Sequence, residues 1–162
     1  MEHVRRRSRC LRLGTRPDPC GRSDRHRRLD AGPMAAMRTV LDTSVLIGDS
    51  LDRIEGEVAI SAISLAELHF GVLVASTSEQ RALRLQRLVA VERRFEPLAV
   101  DANVARSYGR LAAAVRESGR RPQARALDLM IAATAHAHGA RLMTRNAEDL
   151  RGIEGLVEID SH

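Results

Sequence analysis

The chain is poor in aromatic residues and has no lysine. Phe, Tyr and Trp together make up 2% of its 162 residues, and all 26 basic residues are arginine. A core built from this composition must be aliphatic, and stacking of bases on aromatic side chains is excluded as the main source of affinity for a nucleic acid. No apolar run approaches the length of a membrane-spanning helix, so we predict a protein without a membrane segment.

Cysteine is absent from the part of the chain that we expect to fold. Cys10 and Cys20 both lie within the first 33 residues. The rest of the chain can therefore form neither a disulfide framework nor a cysteine-based zinc site. This distribution favours the reducing cytoplasm as the location of the protein.

Positive charge is concentrated at the N-terminus. Residues 1–33 carry ten Arg against four acids, a net charge of +6, whereas the remainder carries 16 Arg against 17 acids, a net charge of −1. The basic character of the whole chain is therefore no argument that the folded domain binds nucleic acid.

Two domains of different character are predicted on this basis. Residues 1–36 are rich in Arg, Pro and Gly and offer little to bury, so we predict a disordered extension. We interpret it as sequence upstream of the true start, at Met34 or Met37, and the alternative is a basic arm that binds RNA. Residues 37–162 are predicted to form one folded domain.

Strands and helices are predicted to alternate from residue 37 onward, which indicates an α/β fold with a central parallel sheet of four to five strands between two helical layers. The predicted strands are 38–42, 57–61, 97–100, 141–144 and 156–160. The predicted helices are 43–49, 64–75, 79–93, 101–117 and 127–138, with a short turn at 147–151. The first strand is a continuous apolar run, as expected for a strand that is covered on both faces.

Acidic residues occur where predicted strands end or helices begin, namely Asp42, Glu67, Asp128 and Asp149. Each has an ordinary structural explanation. Asp42 can cap the helix that follows it, and Glu67 can complete a capping box with Ser64. The helix macrodipole favours an acid at the position of Asp128.

The case for a functional site is collective. Acids at the carboxyl ends of parallel strands converge on one edge of the sheet, where they raise one another's pKa. A divalent cation removes that penalty, and oxygen ligands without His or Cys suit Mg²⁺ or Mn²⁺. Such an ion activates a water molecule for attack on a phosphodiester.

Two positions compete as the last member of this set. Asn146 offers a carbonyl oxygen and Asp149 a carboxylate, and the sequence does not decide between them, although charge favours Asp149. Asp101, by contrast, is explained as a helix cap and nothing more.

Four stretches of the chain resemble the PIN-domain family, and within it the VapC toxins of bacterial type II toxin–antitoxin pairs. The stretches are Val40–Ile47, Ser64–Leu68 with Gly71, Leu127–Ala135 and Thr144–Leu150. They occur in the order and at the spacing typical of the family. The chain departs from one family form at Asn146, which stands where an acid follows Thr-Arg.

The resemblance implies a three-layer α/β/α PIN-like fold and an Mg²⁺-dependent endoribonuclease, with Mn²⁺ as a possible substitute. It implies an RNA substrate, a cognate VapB-like antitoxin and a homodimer. The family's acidic positions fall on Asp42, Glu67 and Asp128, with Asp149 or Asn146 as the fourth, and Asp42 and Asp128 are the predicted metal ligands. Predicted contacts to substrate or water come from Thr43, Ser44, Thr144, Asn146 and Arg145.

Several arginine and histidine side chains are candidates for secondary roles. Arg120, Arg121, Arg125 and Arg145 can guide a phosphate backbone, although a solvated surface position explains each of them. The histidines at 69, 136 and 138 are predicted to be surface or packing residues.

Three other functions compete with a toxin. The first two are a catalytically weak PIN-like interaction module and a stand-alone RNA-processing nuclease. The third is a phosphatase or receiver domain, which is disfavoured because Ser44 replaces the second Asp of the former and the chain lacks the Lys of the latter.

Overall fold

The computed structural model describes residues 38–48 and 56–161. The extension predicted at 1–36 and the predicted helix end at residue 49 lie outside the described residues. The elements of the described part are β1 (Thr39–Leu41), α1 (Thr43–Gly48), β2 (Val58–Ile60), α2 (Ala62–Leu73), α3 (Ser78–Arg94), α4 (Ala102–Glu117), a 3-10 segment (Pro122–Arg125), α5 (Ala126–Ala137), β3 (Arg141–Thr144), a second 3-10 segment (Ala147–Leu150) and β4 (Ile159–Ser161).

The four strands form one sheet in the order β2-β1-β3-β4, and every pairing is parallel. The central strand β1 is bonded on both sides, and its Val40 is in register with Ala59 and Leu142. The predicted parallel α/β sheet is therefore confirmed. Since all strands run the same way, the residues that follow β1 and those that end β3 meet at one edge of the sheet.

The strand predicted at 97–100 forms only a single bridge, between Leu98 and Ser61. Leu98 donates its N–H to the carbonyl of Ile60 over 2.8 Å and accepts from the N–H of Ala62 over 2.9 Å. Pro97 has no N–H to donate, and Asp101 already caps α4, so little chain is left for a ladder. The prediction of a strand was wrong beyond this bridge.

Each face of the sheet carries its own aliphatic core. Val40 of β1 belongs to a cluster with residues of α4 and α5, among them Leu111 and Leu129. The next residue, Leu41, belongs to a cluster on the opposite face with residues of α1, α2 and α3. Adjacent residues of a strand point to opposite faces, so β1 is buried between two helical layers. This arrangement confirms the three-layer α/β/α prediction.

Helix α2 begins two residues earlier than predicted. Ser61, which is extended, is the N-cap, and its hydroxyl accepts a hydrogen bond from the N–H of Ile63 over 3.1 Å. Ser64 is fully buried, and its hydroxyl has no partner among the described residues. The capping box predicted for Ser64 and Glu67 was therefore wrong, and Glu67 lies inside the helix, free of any capping role.

Helices α4 and α5 are each followed closely by a glycine. Gly119 and Gly139 follow the two helices with φ of +79° and +60°. Only glycine adopts this left-handed conformation without a steric penalty, and it turns the chain away from the helix axis. No helix in the described ranges is long and apolar enough to cross a membrane.

Candidate active site

Asp42 follows β1 directly and is buried, with 9% of its surface exposed. Its main-chain carbonyl accepts from Val45 and Leu46 at the start of α1. Its carboxylate oxygen Oδ2 instead accepts from two hydroxyl groups, those of Ser44 over 2.6 Å and Thr144 over 2.7 Å. The carboxylate is thus held by side chains of two different elements rather than by the helix amides.

The same two hydroxyl groups bind the segment after β3. The Ser44 hydroxyl accepts from the N–H of Arg145, and the Thr144 hydroxyl accepts from the N–H of Asn146, each over 3.1 Å. Thr144 is buried, so it fixes the position of Asp42 relative to β3. Thr144 and Ser44, both predicted from sequence, therefore orient an acid rather than projecting into solvent.

Glu67 lies on α2 and turns towards α1. Its carboxylate accepts a hydrogen bond from the Thr43 hydroxyl over 2.6 Å, and the pair is partly buried. Thr43 follows Asp42 in the chain, so this bond places Glu67 beside the end of β1. It also faces a groove of about 370 Å³ between α1, α2 and α3.

Asp128 shows that the acids converge. Burial is the largest cause that raises the pKa of this carboxyl above its usual value, followed by the negative charges of Asp42, Glu67 and Asp149. The positive charge of Arg125 acts in the opposite direction. Asp128 is therefore close enough to the other three acids for their charges to disfavour its ionisation.

Asp149 is the acid that has a positive partner. Its Oδ1 lies 2.8 Å from a guanidinium nitrogen of Arg125, and both side chains are partly exposed. Arg125 is the last residue of the first 3-10 segment, and Asp149 lies in the second. The contact therefore brings together two loops that flank the carboxyl end of β3.

A small cavity lies among these groups. Its volume is about 10 Å³, close to the least space that holds one water molecule. It is lined by Asp42, Asp128, Leu142, Thr144, Asn146, Asp149 and Leu150. Both candidates for the fourth position, Asn146 and Asp149, thus reach the space that Asp42 and Asp128 share.

The donor set suits a hard divalent ion, because all its groups are oxygen ligands and the acids repel one another in its absence. Among the described residues, however, no three acidic, His or Cys side chains are grouped closely enough to hold an ion on their own. Mg²⁺ does not require such a cage, since it usually binds one or two carboxylates and completes its shell with water and substrate phosphates. Asp42 and Asp128, which share the cavity, fit that requirement.

Several residues outside the cavity have other partners. Asp101 caps α4, with its carboxylate accepting from the N–H groups of Asn103 and Val104, as predicted. His69 lies at the surface, 3.0 Å from Glu92. His136 bonds to the hydroxyl of Ser107 over 2.9 Å between α4 and α5.

The arginines named from sequence have different positions. Arg120 donates to the main-chain carbonyls of Glu148 and Arg151, which ties it to the second 3-10 segment. The guanidinium of Arg145 lies against Gly48, in the space that a Cβ there would occupy. Arg125 is in direct contact with Asp149, one of the four acids.

Comparison with known proteins agrees with this geometry. The PIN-domain family profile matches residues 39–155. Ribonuclease VapC5 of Mycobacterium tuberculosis is 40% identical over 127 residues, which are 75% of this chain and 91% of that protein. Ribonuclease VapC4 of the same organism is 38% identical over 119 residues, 70% of this chain and 89% of that protein.

A solved structure shares the fold as well. The crystal structure of VapBC-5 from Mycobacterium tuberculosis, a member of the VapBC family of toxin–antitoxin systems, superposes with a TM-score of 0.67 at 37% identity. The match covers 77% of this chain and 97% of that chain. The fold and the site define a PIN domain. This chain belongs to the PIN-domain family and, within it, to the VapC-type ribonucleases.

Proposed function

We propose that this chain is a metal-dependent endoribonuclease and the toxin of a VapBC-type toxin–antitoxin pair, with its activity in residues 37–162. One observation carries the proposal. Asp42, Asp128 and Asp149, which are distant in sequence, line one small cavity, and the Thr43 hydroxyl holds Glu67 beside the end of β1. The relatives with the same fold are ribonucleases.

The metal follows from the donor set. VapC-type PIN-domain ribonucleases generally depend on a divalent metal ion. We propose Mg²⁺, with Mn²⁺ as a substitute, because all the candidate ligands are hard oxygen atoms. Asp42 and Asp128 would hold it. The bound ion would supply an activated water molecule and stabilise negative charge on the phosphate.

Hydroxyl groups of neighbouring side chains hold two of the acids in position. Ser44 and Thr144 hold Asp42 in one orientation, and Thr43 does the same for Glu67. Hydrogen bonds of this kind hold ligating groups in place, and their loss typically lowers metal affinity or activity by about 10–100-fold.

We assign the fourth acidic position to Asp149. The negative charge of Asp149 raises the pKa of Asp128, and Asp149 lines the cavity that Asp42 and Asp128 share. Asn146, which lines the same cavity and carries no charge, is proposed as a contact to water or to the substrate. Arg145, which is exposed next to it, is proposed as a contact to the phosphate backbone.

The partners follow from the same relatives. VapBC-5 is a toxin–antitoxin complex, and we propose that this chain likewise binds a cognate VapB-like antitoxin that limits its activity. We also propose a homodimer and a cytoplasmic location, where RNA is available.

Expression of the full chain without an antitoxin is expected to arrest bacterial growth, and the Asp42→Asn variant is expected to relieve the arrest. Growth curves of matched inducible strains measure the effect, with immunoblots to show equal protein levels. Asp101→Asn is the control, because it makes the same chemical change at a helix cap, where Asn serves as well as Asp. This variant should still arrest growth.

Arrest that persists unchanged in Asp42→Asn would reject the proposed mechanism. If the wild-type chain binds a VapB-like protein but neither arrests growth nor cleaves RNA, it is an interaction module. Cleavage of RNA without growth arrest would indicate a stand-alone RNA-processing nuclease.

Removal of the Thr144 hydroxyl should reduce catalysis more than it reduces stability. Thr144→Val deletes a hydrogen bond to Asp42, and loss of such an orienting group typically costs about 10–100-fold in activity or metal affinity. The measurement is the rate of RNA cleavage per folded molecule at saturating Mg²⁺. Thr134→Val is the matched control, since Thr134 is also buried but bonds to the carbonyl of Met130 and the hydroxyl of Ser61, away from the acids.

Thr134→Val should lower the free energy of unfolding by about 2 kcal/mol, because the bonds of Thr134 to the Met130 carbonyl and to the Ser61 hydroxyl are both lost, and leave the cleavage rate unchanged. Equal cleavage rates in the two variants would show that the Thr144 hydroxyl has only a structural role.

A further inference from the structure

A wide, open groove lies outside the acidic cavity, and the proposed function makes no use of it. Its volume is about 560 Å³. It runs between the C-terminal half of α4 and the loop that leads into α5, and its lining includes Ala112, Arg116, Arg120, Arg121 and Gln123. Three guanidinium groups therefore share one concave surface, and no acidic residue lines it.

Two of these arginines are available to a ligand. Arg116 and Arg121 are exposed, and neither forms an ion pair or a side-chain hydrogen bond with any residue that the structure describes. A cleft lined by charge of one sign concentrates its field and attracts ions of the opposite sign. The groove can therefore bind an anion that contacts more than one guanidinium group.

The third arginine connects the groove to the acidic site. Arg120 lines the groove and also donates to the carbonyls of Glu148 and Arg151, at the two sides of Asp149. The loop that lines the groove continues to Arg125, which is paired with Asp149. Arg120 and Arg125 therefore link the loop that lines the groove to the 3-10 segment that carries Asp149.

We infer that this groove binds the phosphate backbone of single-stranded RNA next to the cleaved bond, with Arg116 and Arg121 as the contacts. The inference rests on the proposed ribonuclease function. The planar guanidinium matches phosphate geometry through paired hydrogen bonds. The groove has no aromatic lining, so it reads the backbone and not the bases.

The sequence did not single out Arg116. It lies in the last turn of α4, whereas Arg120 and Arg121 follow Gly119, where the chain has left the helix. No local spacing relates Arg116 to these two residues, and their common position on the groove is visible only in the structure.

The salt dependence of RNA binding tests the inference. The full chain and an Arg116→Gln/Arg121→Gln variant are titrated with a fluorescein-labelled oligouridylate in EDTA, so that no cleavage occurs, over a series of salt concentrations. Each phosphate contact to a single strand contributes about 0.7 to the slope of log K against log salt. The double variant should therefore lower the magnitude of the slope by about 1.4.

The matched control is Arg81→Gln/Arg110→Gln, which removes the same charge from exposed positions of α3 and α4 outside the groove. The basic N-terminal residues are common to all three proteins, so their contribution cancels in the comparison. Equal slopes in the two double variants would overturn the inference. A second outcome would also overturn it: the groove variant keeps the wild-type RNA slope but no longer binds an oligoglutamate peptide. That result would assign the groove to an acidic protein segment.

The outcome is separable from that of the proposed function. If the wild-type chain cleaves RNA with Mg²⁺ but the two double variants give equal salt slopes, the nuclease function stands and the groove is not an RNA-binding surface. A reduced slope in the groove variant, without cleavage by the wild-type chain, retains the groove as an RNA-binding surface and rejects the nuclease.

Discussion

Asp42→Asn is expected to remove RNA cleavage while leaving the folded protein at least as stable as the wild type. Asp42 is a proposed metal ligand and the acceptor of two hydroxyl hydrogen bonds. Its loss should cost more than the roughly 10–100-fold that accompanies loss of an outer partner such as Thr144. The amide oxygen of Asn can still accept from both hydroxyls, and one of the charges that disfavour ionised Asp128 disappears.

The comparison with Asp101 separates a functional acid from a structural one. Asp101→Ala removes the cap of α4 and should lower the midpoint of thermal unfolding by a few degrees, with the cleavage rate per folded molecule unchanged. Single-turnover cleavage assays and thermal unfolding of both variants provide the two readouts. If Asp42→Asn unfolds the protein, or if it cleaves at the wild-type rate, its assignment as a ligand is wrong.

The stability of the metal-free protein should fall as the pH rises through the pKa of Asp128. The folded protein raises this pKa, because the carboxyl is partly buried and three other acids repel its ionised form. Between the ordinary pKa of an Asp and the raised value, the folded state binds more protons than the unfolded state. The free energy of unfolding therefore decreases with pH in that window, and Asp128 favours folding only below it.

Chemical unfolding in EDTA from acidic to neutral pH measures this dependence. Asp128→Asn should flatten it and stabilise the metal-free protein at neutral pH, because no charge then has to form at that position. A saturating divalent ion should flatten it in the wild type, since a cation favours the ionised carboxylate. A pH dependence that is the same in wild type and Asp128→Asn would show that Asp128 does not interact with the other acids.

Much of the fold could be predicted from local pattern. Helices α3, α4 and α5 lie within a residue of their predicted bounds, because their apolar spacing and their caps act within a few residues of the chain. The strand at 97–100 was overestimated for a different reason. The length of a strand depends on how many of its residues pair with a neighbouring strand that is distant in sequence. An apolar run next to Pro97 does not reveal that number.

In the candidate site, too, some features could be predicted from local pattern and others could not. Asp42, Glu67, Asp128 and Asp149 were predicted from their places at strand ends and helix starts, together with the family resemblance. The hydrogen bond from Thr144 to Asp42 was not predicted, nor was the pairing of Arg125 with Asp149. The predicted capping box illustrates the limit, since Ser61 and Ser64 are equivalent by local chemistry. The observed helix begins at Ala62, after the cap at Ser61.

By itself, the sequence determined which chemical groups the protein has: an aliphatic core, a parallel α/β order of elements and oxygen ligands without His or Cys at the ends of strands. These properties depend on residue type and short spacing. Only the tertiary structure decided that Thr144 reaches back to Asp42 across a sequence separation of 102 residues, and that three arginines line one groove. The physical reason is that such contacts depend on strand order and helix packing, which bring together residues that no local pattern relates.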